Sequence, residues 1–369
     1  MKKINISFII LELGAGGQER QMSYAIKSLI KNGIKPILFI WSGNKYWSQE
    51  YGIIKSGAEI IMLEGNFIKK IYNIRSTLKH NKIQIFQSWS ILTNIILFLS
   101  TIGSKIITIG ALRMTLFGHY INKARPLSSL KVIIQLISVK NIICNSYSAL
   151  EDMKILFKNI PFVKKRLFVL HNRTRINFKN ISVQKKKKFF SVSCGSLIAR
   201  KNIDFIIDVV SILKSYYPNY VHAHAGGNGD MYEELLRKVK LNDLKDNFLL
   251  LGELQNLDKF YADGELYIHS SKYEGTPNTL IEAMSSGLPI ITTDWGDANH
   301  FVLSNENGYI ITEKDPSIWA EKIRSILSNK SLLDKMGSVS LEVASKKLNL
   351  KNLYPDLIKI YSKIINEKI

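Results

Sequence analysis

Cysteine is almost missing from this chain: Cys144 and Cys194 are the only two in 369 residues. A disulfide-built scaffold and a paired-cysteine zinc site are thereby excluded, and both thiols read as buried small hydrophobes in a reducing compartment. Long apolar runs are missing too. The most apolar window, residues 91–99, is less than half of the roughly 20 residues a bilayer-spanning helix needs. Met1–Leu11 opens like a signal peptide, but Glu12 and a glycine-rich turn stand where a cleavage site would be, so a first β-strand is expected. There is no Asp-x-Asp, no zinc spacing and no aromatic RNA-binding motif, which argues against nucleic acid as the partner. Acids are scarce in one half only. Residues 1–180 carry 27 Lys+Arg and 7 Asp+Glu, whereas residues 181–369 carry 24 and 23.

What is present is a well-filled globular composition, 46% hydrophobic, long enough for two domains. The informative stretch is Ser271–Glu282, Ser-Lys-Tyr-Glu-Gly-Thr-Pro-Asn-Thr-Leu-Ile-Glu. A β-rich run, Leu266–Ser270, precedes it, and Pro277–Met284 reads as a helix start, Pro being suited to a first turn. Strand, glycine loop and helix leave the backbone N–H groups of Gly275, Thr276, Asn278 and Thr279, around the N–H-less Pro277, beside a helix's positive end, a place that suits a phosphate. Glu274 in the loop is placed to hold sugar hydroxyls, and Glu282, a turn into the helix, to accept from a ribose diol. The bland alternative is a solvated loop acid and a dipole-complementing helix acid.

Other strand–turn–helix junctions follow the same rule that ligands meet parallel strands at their carboxyl ends. Residues 4–11 are apolar and lead into Gly14-Ala15-Gly16-Gly17-Gln18-Glu19-Arg20, then apolar residues recur at helical spacing. Ile83–Trp89 ends at a polar–aromatic tip followed by a helix containing Asn94, which makes Trp89 and Asn94 acceptor-side candidates, with domain packing the competing role for Trp89. His222 and His224 alternate on one strand without a third ligand in spacing, so no metal is expected. Charged, polar residues through Lys185–Lys188 read as an exposed linker. The expected domains are 1–178, a linker 179–188, 189–350 and a terminal helix 351–369.

Residues 273–294, from Tyr-Glu-Gly-Thr-Pro-Asn to Ile-Ile-Thr-Thr-Asp, resemble the signature of the family-4 retaining glycosyltransferases. The resemblance is dense over 189–313 and loose over 30–180. It implies the GT-B fold, an α/β architecture of two Rossmann-like domains facing across a cleft with the last helix crossing back to the N-domain. It also implies a nucleotide-sugar donor held mainly by the C-terminal domain, and no metal or other cofactor. Gly16 and Gly17 match the family's diphosphate-facing loop, and Leu254 lies in the segment set against the nucleobase. Lys201, with Arg200 before it, matches a cationic position after the first C-domain strand, although Ser196 stands where an Arg is expected. The family's His after the strand at 105–110 is missing; Arg113 is the candidate to take its place, with His119 six residues on.

These readings combine into a retaining glycosyltransferase moving a hexose or N-acetylhexosamine from a nucleotide-diphosphate sugar, UDP favoured. The expected acceptor is a lipid-linked oligosaccharide of O-antigen, capsule or similar surface polysaccharide assembly. Lys201 and Arg200 would stabilise the leaving diphosphate and Glu274 would position the sugar. The basic N-terminal half suggests an anionic membrane surface, hence a cytoplasmic protein peripheral on the inner face of the membrane. A nucleotide-sugar 2-epimerase on the same fold and a non-catalytic sugar-nucleotide-binding protein are the alternatives.

Overall fold

The computed structural model describes residues 4–14, 16–43, 52–117, 126–158, 160, 165–176, 188–227 and 229–366. The chain divides into two compact units, Met1–Asn172 with Leu350–Ile369, and Arg173–Asn349. Of the expected linker 179–188, only Lys188 is among the described residues.

The first unit holds seven strands: β1 (Ile6–Ile10), β2 (Ile37–Ile40), β3 (Glu59–Met62), β4 (Ile85–Ser88), β5 (Ile107–Leu112), β6 (Asn141–Cys144) and β7 (Arg166–Val169). Their order is β3-β2-β1-β4-β5-β6-β7, with every pair parallel. Strands such as Ile6–Ile10 and Ile37–Ile40 are buried at every position, which explains why Ile, Leu and Phe fill them but for Ser7: helices cover both faces of a parallel sheet. The terminal helix Leu353–Asn366 packs in this unit, burying Leu353, Leu357, Ile358, Tyr361 and Ile364 at helical spacing beside Met22, Ala25, Ile26 and Leu29 of the helix Gly17–Lys31. Tyr361 Oη donates to Gln87 at 2.6 Å. Arg166 closes the helix by donating to the carbonyls of Lys363 and Ile364, cations being favoured at that end.

The second unit holds β8 (Phe189–Cys194), β9 (His222–Ala225), β10 (Phe248–Leu250), β11 (Gly264–His269), β12 (Ile290–Thr293) and β13 (Gly308–Ile311), in the order β10-β9-β8-β11-β12-β13. Both sheets reverse direction once, between β1 and β4 and between β8 and β11. This is the doubly wound order, and the crevice outside the strand ends at each reversal is where such folds take ligands. Among the described residues no helix is long and apolar enough to cross a membrane.

Candidate active site

Gly195 follows β8 and Ser270 follows β11, so the two segments that leave the second unit's reversal point are 195–202 and 270–278. The first makes a short 3-10 turn over Ala199–Lys201 and then Asn202, in the left-handed region at φ 56°. Asn tolerates that conformation better than most residues. Ser270 holds the turn from below: its Oγ lies 2.8 Å from the Lys201 carbonyl and 3.0 Å from that of Asn202. The Lys272 N–H donates to the Arg200 carbonyl at 3.0 Å. The cations are therefore presented by a clamped backbone.

Both reach the same atom. Lys201 Nζ and Arg200 Nη1 each donate to Glu274 Oε1 at 2.7 Å. Neither bond uses Oε2. Glu274 is buried, and Arg200 and Lys201 are largely so. Burial alone pushes the Glu274 carboxyl up, but the charges of Lys201 and Arg200 outweigh it and hold the group at about 2. His269 Nε2 lies 3.8 Å from Glu274 Oε1, too far for a hydrogen bond. Burial, with Lys201 and Arg200 also acting against protonation, drives the His269 imidazole down to about 3 against the pull of Glu274. It is neutral, so the contact is not an ion pair. Two cations and one anion leave the cluster with a net positive charge.

The helix after the loop begins at Asn278, one residue later than the sequence pattern suggests. Pro277 is extended (φ −72°, ψ 119°) and serves as the cap residue, because nothing requires its missing N–H there. Gly275, Thr276 and Pro277 are buried, and Asn278 and Thr279 half-buried. Glu282 is half-buried and receives the Tyr261 hydroxyl at 3.3 Å. Leu254 is half-buried against the apolar cluster that contains Tyr261 and Leu280.

Behind the cation turn lies a buried polar chain. Register sets Ser191 beside His222 and Ser193 beside His224. Tyr220 Oη meets Ser191 Oγ at 2.6 Å, Ser191 meets His222 Nδ1 at 2.7 Å, and Ser193 bridges His222 Nε2 (2.8 Å) and His224 Nδ1 (2.7 Å). His224 Nε2 ends the chain 2.8 Å from the Gly195 carbonyl. A carbonyl only accepts, so His224 Nε2 must carry the proton, and every hydroxyl has one proton to give. The direction is then fixed throughout: Tyr220 to Ser191 to His222 to Ser193 to His224 to Gly195. Both imidazoles are neutral Nε2–H tautomers, consistent with burial depressing His222 well below its usual value and His224 to about 4. Among the described residues no group of three or more His, Cys, Asp or Glu is arranged to hold a metal ion.

The candidates of the first unit are placed differently. Gly16 caps the helix Gly17–Lys31 with ordinary φ −72°. A Cβ there would meet the Glu19 carboxylate at 2.2 Å, the far end of a side chain that can swing aside. Trp89 and Asn94 are buried and do not form an exposed tip. Trp89 packs edge-on to Phe8 (5.9 Å), and the Arg113 guanidinium lies 4.0 Å from its ring centre. Asn94 Oδ1 accepts from Ser88 Oγ (2.5 Å) and the Ala111 N–H (3.2 Å), pinning β4 to β5. Asn94 thus clamps the two strands through its oxygen. His119 lies outside the described residues. His269 and Ser270, which shape the ion cluster, have no motif of their own; the position of Leu266–Ser270 just ahead of the acidic loop is the one signal that pointed to them.

Residues 174–341 match the family model described as glycosyl transferases group 1. That stretch lies within the second unit, Arg173–Asn349. The chain is 31% identical over 176 residues to the UDP-N-acetylglucosamine--peptide N-acetylglucosaminyltransferase GtfA subunit of Streptococcus agalactiae, covering 45% of this chain and 34% of that protein. The match therefore spans about a third of that relative's length. It is 23% identical over 373 residues, 98% of this chain and 99% of the other, to the GalNAc-alpha-(1->4)-GalNAc-alpha-(1->3)-diNAcBac-PP-undecaprenol alpha-1,4-N-acetyl-D-galactosaminyltransferase of Campylobacter jejuni. The structure of Anabaena HepE in complex with UDP superimposes with a TM-score of 0.81 at 14% identity, covering 98% of this chain and 100% of that one. The fold is GT-B.

Proposed function

We propose that the protein is a retaining, family-4-type glycosyltransferase that moves a hexose or N-acetylhexosamine from a nucleotide-diphosphate sugar, UDP favoured, to a lipid-linked oligosaccharide. The observation that carries this reading is the convergence of Lys201 and Arg200 on Glu274 Oε1 at a sheet reversal point. The net positive charge matches a diphosphate leaving group, whose charge develops as the glycosidic bond breaks. Preset cations cost no reorganisation at that moment. Glu274 stays ionised, so Oε2 accepts from sugar hydroxyls and positions the ring, while Glu282 accepts from the ribose. Gly16, Gly17 and the 275–279 backbone complete the diphosphate contacts, Leu254 lines the base, and Trp89, Asn94, Arg113 and His119 are the acceptor-side residues.

UDP in the HepE structure and the UDP-N-acetylglucosamine named for the streptococcal relative support the donor. The Campylobacter relative's undecaprenol-linked substrate supports a lipid-linked acceptor and a role in surface polysaccharide such as O-antigen, lipopolysaccharide or capsule. The cationic first half fits work at the cytoplasmic face of the membrane, through its anionic lipids.

Thermal melts with UDP-, GDP- and ADP-sugars test the donor, since a bound ligand raises Tm. The expected result is a UDP-sugar response together with slow donor hydrolysis. Lys201→Ala is expected to lower that hydrolysis by about 10²–10³-fold. An unchanged rate in Lys201→Ala, or epimer appearing from donor alone, overturns the reading.

A further inference from the structure

The helix Pro126–Ile137 is apolar on both of its faces. Ser129, Val132 and Leu136 are buried on one side. On the other, Leu127, Leu130, Ile134 and Ile137 are 76%, 53%, 48% and 39% exposed. Spacings of three, four and three residues align these four into one stripe. A surface helix of a water-soluble face would carry polar residues there; Lys131 is the single charge in this helix. The helix is held firmly. Gln135 Oε1 accepts from the Ile95 N–H at 2.7 Å, and Lys165 Nζ donates to the Ile137 carbonyl at 2.7 Å. The neighbouring helix Asn94–Thr101 adds exposed Phe98, with Ile102 just beyond it. Side chains exposed in this number on adjoining helices mark an interaction surface.

The charge around it selects the occupant. From Gly65 to Leu150 the sequence holds eleven Lys or Arg and no Asp or Glu. A second copy docking here would set two such cationic segments against each other, which is unfavourable. A bilayer containing anionic lipid matches both halves of the pattern: apolar side chains enter the headgroup–acyl boundary while cations gather phosphates. We propose that the Leu127–Leu130–Ile134–Ile137 stripe is a docking face that inserts shallowly into an anionic bilayer. This deepens the functional reading above, since the helix is tied to Ile95, just after Trp89 and Asn94, but it stands on surface chemistry that needs no donor.

Cosedimentation of the full chain with vesicles of phosphatidylcholine, or phosphatidylcholine mixed with phosphatidylglycerol, tests it. The expected result is binding to the anionic vesicles at low salt, with a partition coefficient about tenfold or more lower in L130E/I134E. Both substituted positions are exposed, and the variant is expected to keep the wild-type melting temperature and UDP-induced shift. Weak or no binding by wild type, or equal binding by the variant, overturns the proposal. So does a wild-type dimer in light scattering that L130E/I134E dissolves, which would give the face to a second copy. Vesicle binding that persists without any UDP-induced shift removes the transferase reading and leaves the docking face standing.

Discussion

The two units wind outward from a reversal point in the same strand order, yet fill that place with opposite chemistry. In the first, Trp89 and Asn94 close the end of β4 with aromatic packing and an internal clamp, and Arg113 is stacked on the indole. In the second, the ends of β8 and β11 carry an ion cluster backed by a chain of neutral histidines and hydroxyls. Topology supplies the position; the residues at the strand ends decide whether it becomes core or chemistry. The surfaces differ too: the cationic unit leaves an apolar helix face open, while the charge-balanced unit buries three of its charges in the cluster.

Breaking the packed side should cost most. Trp89→Ala removes a wholly buried indole and is expected to destabilise the first unit by about 3–5 kcal/mol, read as lost hydrogen-exchange protection in β1 and β4 with β8 and β11 unchanged. Equal loss in both units would show that they do not unfold separately. Acid should sharpen the contrast from the other side. His224 and His269 have folded values near 4 and 3 against an unfolded 6.5, so the unfolded chain binds more protons between those limits. Stability is therefore complete above about pH 6.5 and falls as pH drops, by roughly 2 kcal/mol for each histidine at pH 5. Protection in β8, β9 and β11 is expected to decline over that range while β1 and β2 hold. The smallest effect is expected from Ser193→Ala, which leaves the His222 N–H and the His224 acceptor without their shared partner, at a cost of about 1–2 kcal/mol, measurable as a lower denaturant midpoint.

Much of this was legible in the sequence for physical reasons. Unbroken apolar runs such as Ile37–Ile40 can only be strands covered on both faces, and glycines after them mark the turns. The acidic loop announced itself by Glu274 and Glu282 flanking a Gly, a Pro and two Thr. Lys201 was reached through family resemblance, because 73 residues separate it from Glu274 and no local pattern spans such a gap. The alternation His222-Ala-His224 was visible, but its meaning was not: the serines that pair with it belong to another strand, and register is a tertiary fact.

Gly226 lies so close to the turn after β8 that a Cβ on it would meet the Gly195 carbonyl at 1.9 Å. That same carbonyl receives the histidine chain. The floor beneath the ion cluster therefore has no room to change: any side chain at 226 would push Gly195, and with it the turn that carries Lys201. A substitution 31 residues away from Gly195 in the sequence is thereby felt at Lys201, through one backbone carbonyl.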